Sequence, residues 1–250
     1  MKMVKDRTGR FPERPHYEPT ELDVECERFV SDFLGDRHGR IQWPLTTDDL
    51  TCLLELEVAD LDLYADLSGE GADVEGVTEF RPGQKPRVRV SAALATADRR
   101  AHRLRTTLTH ELGHVRFHAF LFELRAARLD LFDTESSRRN SKTASTDPPQ
   151  PLDQKCRRGG IINAAEVDWM EWQAGYACGA FLMPAGPLRD VVKQHVRETK
   201  LLRELVPASP EGTALIAHVA AYFDTSQDAA RVRLLKTKYL VQVASGPSVF

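Results

Sequence analysis

The residues best placed to do chemistry are His110-Glu111-Leu112-Gly113-His114. Two histidines four apart project from one side of an α-helix, one turn above the other, so both imidazoles can reach a single metal ion. Zinc accepts imidazole nitrogen readily, and a catalytic zinc keeps three protein ligands and a water. Glu111 follows the first histidine, where a helical carboxylate can reach the water and not the metal. Zinc brings the pKa of its water to ~7, and a neighbouring carboxylate can take the proton. HExxH on a helix is therefore a hydrolase pattern with a mechanism behind it. The alternative is a pair of hydrogen-bonded core histidines. Against it stands Glu111, a charge rarely buried without a partner.

The element that must carry this motif is a helix over Arg100–Phe122. Leu104, Leu108, Leu112 and Val115 recur at the helical period, so one side packs inward. Gly113 weakens a helix relative to alanine, which points to close approach of another backbone or a substrate. His118 lies one turn further on. A straight helix cannot bring three successive turns to one ion at ~2 Å each, so His118 is expected to support the site or lie at the surface. A third ligand must come from elsewhere. Residues 168–184 read as a second helix, stopped at Met183-Pro184. Its small stripe of Ala174, Gly175, Ala177, Cys178, Gly179 and Ala180 lets two helix backbones come close. Glu171 can then reach a metal held by the first helix. The alternative is a solvated glutamate at a helix start.

Together the two segments resemble the ImmA/IrrE family of zinc metallopeptidases, which pairs HExxH with a helix of pattern E-x-Q-A-x-x-F-A-x-x-L-L-M-P. Glu171, Gln173, Ala174, Ala177, Leu182, Met183 and Pro184 match in place; Phe181 stands where leucine is usual, and Tyr176 where an aromatic is common. The resemblance covers about residues 40–240. It implies that Glu171 is the third zinc ligand, with Asp168 and Glu166 as near misses. It also implies a zincin-like, gluzincin-like fold and a protein substrate, a repressor-like transcriptional regulator cut at a particular site. Such proteins act in mobile-element, stress or phage-related regulation. In the expected mechanism Glu111 is the general base, and the oxyanion needs a further donor. Tyr176 and the arginines of the 134–160 loop are candidates.

The chain has 250 residues, 42% hydrophobic and 28% charged, which suits a globular protein with a real core. Its net charge of -3 gives no global pull towards nucleic acid or anionic membrane. The N-terminus lacks an apolar run, so no signal peptide is expected, and no stretch nears the ~18 apolar residues of a membrane span. Cys26, Cys52, Cys156 and Cys178 are scattered without CxxC, which fits free thiols in a reducing cytoplasm.

Residues 1–19, charged and proline-rich, read as a mobile arm. Thr20 opens a helix with Leu22, Cys26, Phe29, Val30 and Phe33 inward, ended by Gly35. Thr47 with Asp48 and Asp49 opens another, to about Val58. Strand patterns follow at Leu61–Ala65, Val74–Phe80 and Arg87–Ser91, the last two joined by a turn-rich link. Were Arg87–Ser91 a sheet edge, it could take a peptide by β-augmentation; the alternative is an internal hairpin strand. Residues 134–160 read as a polar, mobile loop near the site. Within it Cys156, flanked by Lys155, Arg157 and Arg158, is a candidate fourth ligand that would hold the site latent. Further helices are expected at Leu188–Leu202, after Ser209-Pro210, and after Asp224-Thr225-Ser226 with Ala229, Val232 and Leu235 inward. The last pair has a helix-turn-helix look, with Arg231, Arg233, Lys236 and Lys238 available for phosphate.

The resulting expectation is an α+β fold, a small, mostly antiparallel sheet packed on helices. It comprises an arm at 1–19, a zincin-like catalytic domain at 20–185 and a helical region at 186–250 packed on the core. The expected activity is Zn2+-dependent peptide-bond hydrolysis on His110, His114, Glu171 and Glu111. The other class in play is a regulatory binding module or DNA-associated regulator with a structural or latent zinc site, in a toxin–antitoxin or mobile-element system. The number of protein ligands at the metal separates the two.

Overall fold

The computed structural model describes residues 1–71, 73–81, 83–137, 152–157, 168–200 and 205–241, with the backbone alone at 98, 125–137 and 152–157. Among the described residues are eight helices, a two-stranded hairpin and a four-stranded mixed sheet, an α+β fold. They divide into two compact units, Met1–Pro19 with Leu50–Cys178, and Thr20–Asp49 with Gly179–Phe250. This differs from the expected boundaries: residues 20–49 group with the C-terminal helices, and residues 1–19 group with the sheet. No helix among the described residues is long and apolar enough to cross a membrane.

In the first unit, residues 1–19 are not the mobile arm their composition suggested. β1 (Lys2–Lys5) and β2 (Glu13–His16) form an antiparallel hairpin with Met3 opposite Pro15. Asp6 ties the connection, accepting from the Thr8 N–H at 2.9 Å and the Phe11 N–H at 3.0 Å. Phe11 is buried among Phe80, Leu121, Phe122, Trp169 and Met170. One buried aromatic thus anchors a segment whose average composition is that of a tail.

The sheet order is β3 (Asp60–Ala65), β5 (Arg87–Ser91), β4 (Val74–Phe80) and β6 (Leu152–Arg157). β3 runs parallel to β5; the other pairings are antiparallel. The expected ranges of β4 and β5 coincide with the observed ones, because alternation and the turn-rich link mark both ends. β5 is internal, so it offers no free edge for a peptide. β6 lies inside the segment expected to be a loop, and it pairs along the whole of β4. After α3 (Ala92–Ala95) comes α4 (Ala101–Ser137), which runs well past the expected end at Phe122. Residues 123–131, Glu-Leu-Arg-Ala-Ala-Arg-Leu-Asp-Leu, are mostly strong helix formers and contain no breaker.

In the second unit, α1 (Pro19–His38) buries Leu22, Cys26, Val30 and Leu34. Gly35 lies within it, and the chain turns out at Gly39, whose φ of 68° suits glycine. Thr46 and Asp49 bond reciprocally, a capping box, at the start of α2 (Thr47–Glu57), whose residues from Leu50 on belong to the first unit. α5 (Trp169–Leu182), which belongs to the first unit up to Cys178, ends at Met183-Pro184 as expected, and α6 (Ala185–Thr199) follows in the second. Ser209 caps α7 (Pro210–Phe223) and Ser226 caps α8 (Gln227–Lys236). The inner face of α8 is Ala230, Arg233 and Leu234, one residue round from the expected face. Arg233 causes the shift: it is buried, paired with Asp23 at 2.7 Å, and donates to the Met183 carbonyl at 3.0 Å. It is therefore not available for phosphate.

Candidate metal centre

Residues Arg105–Val115 of α4 are all buried. His110 and His114 both point Nε2 at the same spot, 3.1 Å apart. α5 crosses α4 closely there. A Cβ on Gly113 would lie 3.0 Å from Ala174 Cα and 3.1 Å from its carbonyl oxygen, so the glycine and the small stripe do what their residue types suggested. The crossing brings Glu171, three residues before Ala174, onto the histidines. Its Oε2 is 3.2 Å from His110 Nε2 and its Oε1 is 3.2 Å from His114 Nε2.

These three side chains are the group among the described residues able to hold a metal ion. The two imidazole nitrogens, 3.1 Å apart, are near the about 3.3 Å edge of a tetrahedral site with bonds of about 2.0 Å, and Glu171 turns one carboxylate oxygen towards each of them. Two imidazole nitrogens and a carboxylate also suit zinc chemically. Burial pushes the Glu171 carboxyl up. Charge on His114 and hydrogen bonds from both histidines outweigh it and hold the group well below the usual carboxylate range. The centre therefore contains a fixed anion. Glu171 is the outermost member, with 15% of its side chain exposed, while both histidines are sealed.

Glu111 leaves α4 roughly 100° round from His110 and faces the sheet. It is fully buried, and the Thr78 hydroxyl donates to its Oε2 at 2.5 Å. A Cβ on Gly76 would overlap the Glu111 carboxylate, so any side chain at that position of β4 must displace it. His118, the third histidine on this side of α4, is buried behind the metal donors. Its Nδ1 is 3.1 Å from His114 Nδ1 and its Nε2 is 3.1 Å from Gln173 Oε1. Burial first, and charge on His114 next, push His118 well below the ordinary imidazole value, so its ring is neutral. The Gln173 amide nitrogen in turn donates to the Pro15 carbonyl at 2.9 Å.

The other candidates lie elsewhere. Tyr176 is buried with its ring against Trp172, five residues and so roughly 140° round α5 from Glu171. That position lends no support to an oxyanion role. Asp168 faces Arg10 at 3.8 Å. Glu166, Arg138, Arg139 and Arg158 lie outside the described residues. Cys156 stands in β6 opposite Gly76, but its side chain too lies outside the described residues. Gly76, Thr78 and Pro15 were not read as functional from sequence, and Gln173 only as a motif letter. A signal existed for two of them: Gly76 and Thr78 are small residues at alternate positions of an otherwise bulky or charged strand, which marks a face closely approached. In comparisons with known proteins, the chain matches no family model and no curated sequence.

Proposed function

We propose that the chain is a zinc-dependent endopeptidase. The observation that carries this reading is the convergence of His110, His114 and Glu171 within 3.2 Å of one another, with Glu111 held beside them on the same helix. His110, His114 and Glu171 would hold the ion with two neutral nitrogens and one anionic oxygen. Zinc there would supply a Lewis acid that polarises a carbonyl and acidifies water. Glu111 takes the proton of the attacking water and passes it to the leaving amine. Thr78 fixes the rotation of that carboxylate, and the burial around it keeps bulk water from competing for the proton. Three protein ligands among the described residues, in place of four, suit catalysis better than a purely structural site. The resemblance to the ImmA/IrrE family supports a repressor-like regulatory protein as substrate, cut at a particular site.

The test compares the parent chain with Glu111→Gln, for zinc content and for cleavage of a mixed peptide library. Both proteins should carry zinc, and the variant should lose at least about 100-fold in turnover, the contribution of a positioned general base. Hydrolysis that survives in Glu111→Gln refutes the mechanism. Four protein ligands at the zinc by X-ray absorption would transfer support to a structural site.

A further inference from the structure

We infer that the outer edge of β1 docks an extended acidic peptide segment by strand addition. The docking site stands on the geometry of the N-terminal hairpin. Its role, holding a part of the substrate outside the metal centre, rests on the endopeptidase reading.

The backbone of β1 is open on one side and aims its polar groups there. Among the described residues β1 pairs with β2 alone. Met3 stands opposite Pro15, which has no N–H, and the Pro15 carbonyl accepts from the Gln173 amide at 2.9 Å. The N–H and C=O of a strand residue point to the same side, so Met3 and Pro15 form a pair without ladder bonds. Asp6, of opposite parity to Met3, fixes the same alternation: its N–H donates across the hairpin to the Pro12 carbonyl at 3.3 Å. Met3 and Lys5 therefore turn their N–H and C=O groups away from β2. An extended chain laid along β1 can bond those groups, which is the geometry of strand addition. The internal place of β5 removes such an edge from the larger sheet at that strand, whereas the hairpin keeps one.

The side chains set the charge of the occupant. Residues 1–19 hold five Lys and Arg against three Asp and Glu, in a chain whose net charge is -3. Lys2, Lys5 and Arg7 are exposed, and among the described residues no ion pair or hydrogen bond engages their side chains. Asp6 is taken up within the connection by Thr8 and Phe11, and Glu18 faces His16 at 3.2 Å. Like charge deters a second copy of this edge, and the same cations favour a strand of opposite charge. Main-chain pairing demands a polypeptide, since a phosphate backbone or a lipid headgroup offers no matching ladder. The hairpin is also firmly seated. Phe11 meets Trp169 at 6.3 Å, the Arg14 guanidinium lies over the Trp169 ring at 5.5 Å, and Arg10 donates to the Met170 sulfur at 3.0 Å. These partners belong to the first turn of α5, which carries Glu171, so a segment docked on β1 is fixed to the helix that supplies the third metal donor.

The experiment measures, by fluorescence anisotropy, binding of a labelled peptide of alternating Glu and Val to the full chain. The peptide with Gln for Glu, a DNA duplex and phosphatidylserine vesicles are compared with it. The acidic peptide should bind, more weakly as salt rises, and the Gln peptide about 10-fold more weakly or worse. The triple variant Lys2→Gln, Lys5→Gln, Arg7→Gln removes three exposed charge contacts of a few-fold each and should also cost about 10-fold. Met3→Pro removes an outward N–H and leaves the ladder with β2, the setting in which an edge strand accepts proline; it should weaken binding about fivefold or more. A charged patch acting without strand addition would not respond to that proline. The inference is overturned by a parent that does not bind the acidic peptide, by Met3→Pro binding it as the parent does, or by tighter binding of DNA or vesicles through the same three cations. Should Met3→Pro fail to fold, a peptide N-methylated at every second residue takes its place: it should bind the parent correspondingly weakly, and equal binding overturns the inference. Cleavage of peptides without binding at this edge refutes the inference alone; binding at the edge by a chain that cleaves no peptide refutes the endopeptidase reading alone.

Discussion

Gly113→Ala separates two opposed effects at the centre of the protein. Alanine is the better helix former by about 1 kcal/mol, so on propensity alone the variant gains stability. The structure opposes that gain. The added carbon would sit 3.0 Å from Ala174 Cα and 3.1 Å from its carbonyl oxygen. Non-bonded carbons settle at about 3.5–4.0 Å, so α4 and α5 must give by a few tenths of an ångström. Overpacking of this kind costs about 1–3 kcal/mol. The net expectation is a loss of about 0–2 kcal/mol in unfolding free energy.

The effect on metal should be larger than the effect on stability. Glu171 rides on α5, three residues before Ala174, and a functional constellation tolerates about half an ångström of displacement. Parting the helices spends most of that tolerance on the one ligand not supplied by α4. Zinc affinity should fall about tenfold or more, roughly 1.4 kcal/mol. Urea unfolding of the metal-free protein gives the first quantity, and chelator competition gives the second. A variant stabilised by about 1 kcal/mol with unchanged zinc affinity would mean that propensity acts alone and that the close crossing is absent.

Two other perturbations probe the sheet and the hairpin. Gly76→Ala forces the Glu111 carboxylate out of its place against β4; peptidase turnover should drop at least about 100-fold, and unchanged turnover would show that Glu111 does not act from this position. Asp6 is pushed up by burial, but bonds from the Thr8 and Phe11 backbones and the Thr8 hydroxyl outweigh this and hold it below its ordinary value. A depressed carboxyl stabilises the fold fully above the unfolded pKa of ~3.9 and loses that contribution as pH falls through the folded value. Asp6→Ala should therefore flatten the acid limb of stability against pH in urea titrations, and an identical limb would exclude the group.

What the sequence disclosed followed from how local each signal was. The HExxH pair and the ranges of β4 and β5 depend on spacing within a single element, whereas Glu171 came from the resemblance and not from local spacing; the structure brings His110, His114 and Glu171 together and places β4 and β5 at the expected residues. The hairpin at 1–19 was hidden because one aromatic, Phe11, outweighs a tail-like average; Asp6 and Gly9 are the turn residues that mark it. The face of α8 was misread because an arginine, not an apolar residue, occupies its inner position and finds Asp23 in α1. β6 and the internal place of β5 depend on pairing between distant segments, which alternation within a strand does not encode.

The same contrast explains why α4 looks unremarkable as an amphipathic helix and yet is buried on two sides. His110 and Glu111 are neighbours, so they leave the helix roughly 100° apart. The first needs α5 and the second needs β4; no single inward stripe can serve both. The price is a set of polar residues in the core, and α4 meets it locally. The Thr106 and Thr109 hydroxyls donate to the carbonyls of His102 and Arg105, four residues back, at 2.7 and 2.8 Å. Thr106 is thus satisfied within α4, and Thr109 within α4 and by the Cys178 thiol of α5 at 3.2 Å, so an apolar-period reading undercounts the buried surface. The division also makes the two halves of the chemistry separable. The metal donors answer to the α4–α5 crossing, and the base answers to Gly76 and Thr78 of the sheet. Zinc affinity should accordingly follow Gly113→Ala and ignore Gly76→Ala, and the double variant should bind zinc as Gly113→Ala does. A zinc affinity that falls with Gly76→Ala alone would mean that the sheet positions the metal ligands as well as the base.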